Sequence, residues 1–110
     1  MKELDDLHIF KIHADFCAAL GNEKRLQILW LLQDGERSVG ELATEIGIST
    51  PNVSQHLRVL RTQGAVLERK EGQQVYYRIA NKKFMQGCRL IRESIIENHL
   101  SKSELFKKEQ

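Results

Sequence analysis

Apolar residues recur at helical spacing in five stretches of the chain and alternate with polar residues in two. In the first stretch, Asp5 to Leu20, a broad apolar side is made by Leu4, Ile9, Ile12, Phe16 and Leu20, while Lys11 and Asp15 point elsewhere. Gly21 breaks this helix, and Asn22 stands where it can cap the next, EKRLQILWLLQDG. Leu26, Ile28, Leu29, Trp30, Leu31 and Leu32 make that second helix so densely apolar that burial on most sides is expected. Asp34 to Arg37 reads as a short loop.

From Ser38 to Leu60 the pattern resolves into two short helices and a tight turn. Ser38 and Glu41 stand in the S-x-x-E relation, in which each side chain satisfies an end amide of the same turn. Leu42 and Ile46 share one face, and Gly47 ends the helix where an open or left-handed backbone costs least. After Gly47-Ile48-Ser49, Ser49 or Thr50 can cap the next helix, and Pro51 sits in its first turn, where a missing amide does no harm. Val53, Leu57 and Leu60 then repeat on a buried stripe. The other side presents Thr50, Asn52, Ser54, Gln55, Arg58 and Arg61, with His56 beside them. Two helices in this relation are a helix-turn-helix, whose second helix can place its first residues against base edges in the major groove; an αα-hairpin with a solvated face is the simpler alternative.

Gly64 closes that helix and the period changes. Ala65 to Arg69 and Gln74 to Ile79 alternate as strands do, with Lys70-Glu71-Gly72-Gln73 as the turn between them. Arg69, Lys70, Gln73 and Gln74 gather at the hairpin tip, within reach of phosphates or an adjacent minor groove. Tyr76 and Tyr77 point to opposite faces, so one packs inward and the other is open to flank DNA. Helical spacing returns from about Asn81 to Leu100 through Phe84, Cys88, Ile91 and Ile95, and the tail after Ser101 is charged and reads as frayed. The order ααααββα, a hairpin directly after a recognition helix, describes a mainly α single domain over residues 1–110. This is a winged helix-turn-helix, with the motif at 38–63 and the wing at 65–79.

Charge sharpens the picture through its distribution. The net charge is only +2, yet Thr50 to Lys83 holds seven Lys or Arg against two Glu. No apolar run approaches the roughly 20 residues that span a bilayer, and the acidic, amphipathic N-terminus lacks a signal-peptide core. A cytoplasmic protein is expected, with Cys17 and Cys88 as reduced thiols. There is no glycine-rich phosphate loop, convergent carboxylate pair or Ser, His and Asp arrangement, so no enzyme and no cofactor are expected.

The segments ALGNEKRLQILWLL, RSVGELATEIGISTPNVSQHLRVLRTQGAV and ERKEGQQVYYRI resemble the ArsR/SmtB family of bacterial winged-helix repressors, over about residues 14–80. The resemblance implies a homodimer joined through the first and last helices (5–20 and 81–100), double-stranded DNA with an inverted repeat as partner, and repression relieved by an inducer. The apolar sides of both terminal helices agree with a dimer. Where metal sensors of the family carry Cys-Val-Cys or Cys-Val-Gly, this chain has Ser38-Val39-Gly40. Where others carry Asp-x-His at the last helix, it has Asn81-Lys82-Lys83, and of Ser94 to Glu97 only Glu97 could ligate. No metal site of the usual construction is expected. His13 and Cys17 have a ligand spacing, with Cys88 and His99 as further candidates, but two ligands are not a site. Relatives that sense reactive sulfur use a cysteine where this chain has Trp30, leaving Cys17 and Cys88 as a candidate redox switch, or as small packed side chains. The DNA contacts expected are base readout from Thr50, Asn52, Ser54 and Gln55 and phosphate contacts from Arg58, Arg61, Arg69 and Lys70, with Ser49, Gln73 and Gln74 also on the DNA side; His56 contacts phosphate or a base, or packs against the wing, with phosphate favoured. A winged-helix protein-interaction module that does not touch DNA is the alternative; its signature would be an acidic or apolar recognition face.

Overall fold

Local capping chemistry sets the element boundaries. The computed structural model describes residues 6–109, and side chains within 7–100; Leu4 lies outside them. Helices α1 (Asp6–Leu20) and α2 (Glu23–Leu32) are separated by Gly21 and Asn22, whose side-chain oxygen accepts from the amides of Lys24 at 2.9 Å and Arg25 at 3.1 Å. A two-residue strand, β1 (Arg37–Ser38), leads into α3 (Val39–Ile46). Ser38 Oγ accepts from the Glu41 amide and the Ser38 amide donates to Glu41 Oε1, both at 3.1 Å, closing the capping box. Gly47 ends α3 at φ +80°, a left-handed conformation that a Cβ would strain. Ser49 then caps α4 (Thr50–Thr62) by accepting from the Asn52 amide at 3.3 Å.

Residues up to Ala80 cluster into one compact unit and those from Asn81 on into another. In the first unit α2 lies against α3, α4 and a strand of the wing. Its core is Ile28, Leu29 and Leu32 from α2, Leu42 from α3, Val53, Leu57 and Leu60 from α4, and Val66. Burying this stripe removes enough apolar surface from water to be the main force docking the second motif helix onto its scaffold. The second unit is α5 (Lys82–Glu109).

The wing is β2 (Val66–Glu71) and β3 (Gln74–Ile79), antiparallel, with Val66 opposite Ile79 and Glu71 opposite Gln74. Four expectations change here. Asp34 to Arg37 is not all loop: β1 pairs with β3, Arg37 opposite Tyr77 and Ser38 opposite Tyr76, giving a three-stranded sheet in the order β1-β3-β2. Two residues are too few to show a period. The wing turn is also tighter than the four residues expected, because Lys70 and Glu71 belong to β2 and only Gly72, at φ +61°, and Gln73 connect the strands. The last helix continues past Ser101 to Glu109 where a frayed tail was expected; the segment SKSELFKKE holds no glycine or proline to stop it. Finally Leu26 is exposed where it was expected inside, while the rest of the apolar run of α2 is enclosed, Ile28, Leu29 and Leu32 buried and Trp30 and Leu31 half-buried.

Candidate nucleic-acid interface

The buried stripe Val53, Leu57 and Leu60 fixes which side of α4 is open. Ser49, Thr50, Asn52, Ser54, Gln55, Arg58 and Arg61 are all exposed, so the structure brings these sequence candidates onto one accessible surface. Short polar side chains lie at the helix start, where a groove would be nearest, and the arginines lie further along. At the wing, Lys70, Gln73 and Gln74 are exposed around the two-residue turn.

Three expected contacts look different once their neighbours are seen. Arg69 is clasped within the protein: Nη2 donates to Glu36 Oε1 at 2.6 Å, Nε lies 3.1 Å from both Glu36 oxygens, and Nη1 donates to Glu71 Oε2 at 2.8 Å. Its guanidinium carbon also lies 4.6 Å from the centroid of the Tyr76 ring. Those hydrogen bonds hold the Glu36 carboxyl below the usual carboxylate range and raise Arg69 further. Arg69 therefore spans from β2 over the middle strand to the segment before β1, and the ring that was expected to flank DNA is covered by it. Arg61 Nη1 donates to Glu68 Oε2 at 2.6 Å, and the Tyr77 hydroxyl donates to the same oxygen at 2.7 Å. Arg58 is outside these pairs. His56 is half-buried, with Nδ1 3.3 Å from Arg25 Nη1 rather than directed at solvent. Burial first, and the Arg25 charge second, push its pKa below the ordinary histidine value. An approach by His56 as a phosphate-binding cation is thereby disfavoured.

Glu36, Glu68 and Arg25 are the participants that sequence reasoning missed. Arg69 and Glu71, two apart on one strand face, could have been paired from the alternation alone; Glu36 and Arg25 meet partners too far along the chain for any local pattern. Cys17 is exposed on α1, and Cys88 belongs to α5 in the other unit. Among the described residues no group of three or more His, Cys, Asp or Glu is placed to hold a metal ion, and no helix is long and apolar enough to cross a membrane.

Tyr77 is the buried end of the Arg61–Glu68–Tyr77 chain, and its hydroxyl pKa is pushed up to about 12, by burial first and then by the hydrogen bond to Glu68. Because an unfolded tyrosine ionises near 10, the contribution is complete below that pH and lost as pH rises towards about 12. Thermal melts in that window should show an alkaline loss of stability that Tyr77→Phe lacks; identical profiles would mean that the Tyr77–Glu68 hydrogen bond does not stabilise the wing.

The arrangement has close counterparts. The sequence model described as bacterial regulatory protein, arsR family, matches residues 22–66. The transcriptional activator HlyU of Vibrio cholerae is 49% identical over 63 residues, 57% of this chain and 58% of that protein. Its reduced form superimposes with a TM-score of 0.69 at 38% identity, over 76% of this chain and 87% of the solved one. A homodimeric winged helix-turn-helix DNA-binding domain from Mycobacterium bovis, solved by NMR, gives a TM-score of 0.76 at 35% identity and covers 91% of this chain and 94% of its own. The chain belongs to the ArsR family of bacterial regulatory proteins. Its fold is the winged helix-turn-helix, and the family comprises transcription regulators rather than enzymes. A biofilm growth-associated repressor of Xylella fastidiosa is 41% identical over 73 residues, 66% of this chain and 64% of that protein. Relatives of this ArsR-family chain thus include both an activator and a repressor, and it spans less than two thirds of the length of these curated relatives in sequence.

Proposed function

We propose that this ArsR-family chain is a sequence-specific DNA-binding transcriptional regulator that acts in the cytoplasm as a homodimer on an inverted-repeat operator, as a repressor released by an inducer. The observation that carries the reading is the open edge of α4, polar at its start and basic further along, with its opposite stripe locked into the core. That surface lacks the acidic or apolar character a protein-interaction module would present. Thr50, Asn52, Ser54 and Gln55 read bases; Ser49, Arg58 and Lys70 meet phosphates, joined by Arg61, which is half-exposed and would exchange its pair with Glu68 for a phosphate, with Gln73 and Gln74 at the wing tip. Arg69 serves as the clasp of the wing instead of a DNA contact. The dimer reading is supported by the homodimeric M. bovis relative and by apolar side chains left open on both terminal helices: Leu7 and Phe10 on α1, Leu90, Ile91 and Ile95 on α5.

Fluorescence anisotropy on a duplex selected in vitro by the native protein tests this. Affinity should fall steeply with salt, and Arg58→Ala should weaken binding to all sequences while lowering the salt slope by about one per subunit. Asn52→Ala or Gln55→Ala should instead relax sequence preference, at about 1–3 kcal/mol per base contact. Salt-independent binding, or equal losses on every sequence for all three variants, would overturn the assignment.

A further inference from the structure

Arg25 makes two contacts that the exposed edge of α4 does not explain. Its Nε donates to the carbonyl of Ala19, near the end of α1, at 2.5 Å, and its Nη1 lies 3.3 Å from Nδ1 of His56 on α4. A guanidinium has donors only and stays protonated wherever a protein is folded, so in this contact the imidazole nitrogen is the acceptor. An imidazole that accepts at Nδ1 is neutral and carries its proton on Nε2. The ring is half-buried, and no side-chain nitrogen or oxygen among the described residues is both buried and without a hydrogen bond, which leaves Nε2 open to solvent.

We propose that Arg25 is a positioning residue for DNA binding: anchored on the last turn of α1, it holds His56 as the neutral Nε2–H tautomer and so presents one fixed N–H donor to a DNA phosphate oxygen. The inference rests on the reading of α4 as the DNA-binding helix. It makes a histidine that looked like a cationic phosphate contact into an oriented neutral one. Among the described residues Arg25 of α2 is the charged group that acts on the ring, and the group that α1 contributes to the cluster is an uncharged carbonyl. Protonating Nδ1 would set N–H against N–H and break the contact, while leaving Nε2–H intact. Loss of orientation and loss of the donor therefore have different signatures. A histidine acting as a simple phosphate contact binds more tightly on acidification because it gains charge; a histidine that needs Arg25 binds less tightly.

The full chain, with its histidines labelled in ¹⁵N, gives the first readout: long-range ¹H–¹⁵N spectra should show His56 with an unprotonated Nδ1 and a protonated Nε2, and Arg25→Met should lose that single tautomer. The second is anisotropy on the selected duplex between about pH 5.5 and 8, the range of histidine titration. Native affinity should fall on acidification, with an onset below the ordinary histidine midpoint because burial and Arg25 lower the pKa of the ring; complete loss of the contact is worth roughly tenfold, the scale of one hydrogen bond to a charged group. Arg25→Met should bind weaker at the upper pH by a similar factor and show no such fall. Should Arg25→Met fail to fold, His56→Asn retains an acceptor near Nδ1 but lacks the Nε2 donor, and is expected to bind weakly with a flat pH profile. A native Nδ1–H tautomer, native affinity that rises on acidification, or native-like binding by His56→Asn overturns the role of Arg25 and leaves DNA binding standing. Failure to select any duplex overturns the DNA-binding reading itself, and this inference with it.

Discussion

Leu57→Ala is expected to lower the unfolding free energy by about 2–5 kcal/mol. The side chain is fully buried, on the stripe that fastens α4 to its scaffold, so truncation removes apolar contacts and leaves a cavity between elements that cannot easily close over it. Against a total stability of about 5–15 kcal/mol for a domain of this size, that is a large share. Urea unfolding should show a lower midpoint at an unchanged slope. Leu67→Ala provides the comparison, because Leu67 is 42% exposed and its loss should stay within about 0.5 kcal/mol. Equal effects from the two would mean that the buried stripe is not what holds the recognition helix.

Phe10→Glu should have the largest effect on DNA binding while leaving the fold alone. Phe10 is 67% exposed on α1, beside Leu7 at 82%, so a carboxylate there disturbs no internal packing. In the proposed dimer the same position is covered, and a charge placed at a covered apolar face is expensive to desolvate. Sedimentation should report a monomer. Two linked recognition helices bind an inverted repeat with the second event made effectively intramolecular; losing that link is expected to weaken affinity for the full repeat by about 10²–10⁴-fold. Binding to an isolated half-site should change little. A variant that sediments as a dimer, or a monomer that binds the full repeat like the native protein, would remove α1 from the interface.

What could be read from the sequence was what is decided locally. Ser38 with Glu41, Asn22, and Ser49 with Pro51 are signals within one turn of the backbone they terminate, and the caps are found where these residues predict them. The stripe Val53, Leu57 and Leu60 was equally legible, since helical spacing reports burial directly. The features that escaped are products of tertiary assembly. β1 is two residues long and exists only because β3 is beside it. Arg69 looked like an open basic tip because its partner Glu36 precedes the motif, far from it in sequence, and folding brings a carboxylate onto what pattern alone left as a free cation. His56 looked available for phosphate for the same reason, with Arg25 supplied by a different helix. Sequence pattern identified the exposed polar side of α4; which of the nearby charges were already engaged depended on contacts that no window of the sequence contains.

Ser38 belongs at once to the cap of α3 and to the strand that pairs with Tyr76. The first turn of the motif is thus held by the second strand of the wing, across a gap in sequence that only the folded sheet closes. The helix-turn-helix is consequently not a portable cassette: grafted onto another scaffold without its hairpin, it would keep its pattern of residues and lose the strand pairing beside its first cap. The smallest transferable unit for re-engineering specificity runs from α2, whose Ile28, Leu29 and Leu32 pack under the motif, through the end of the wing.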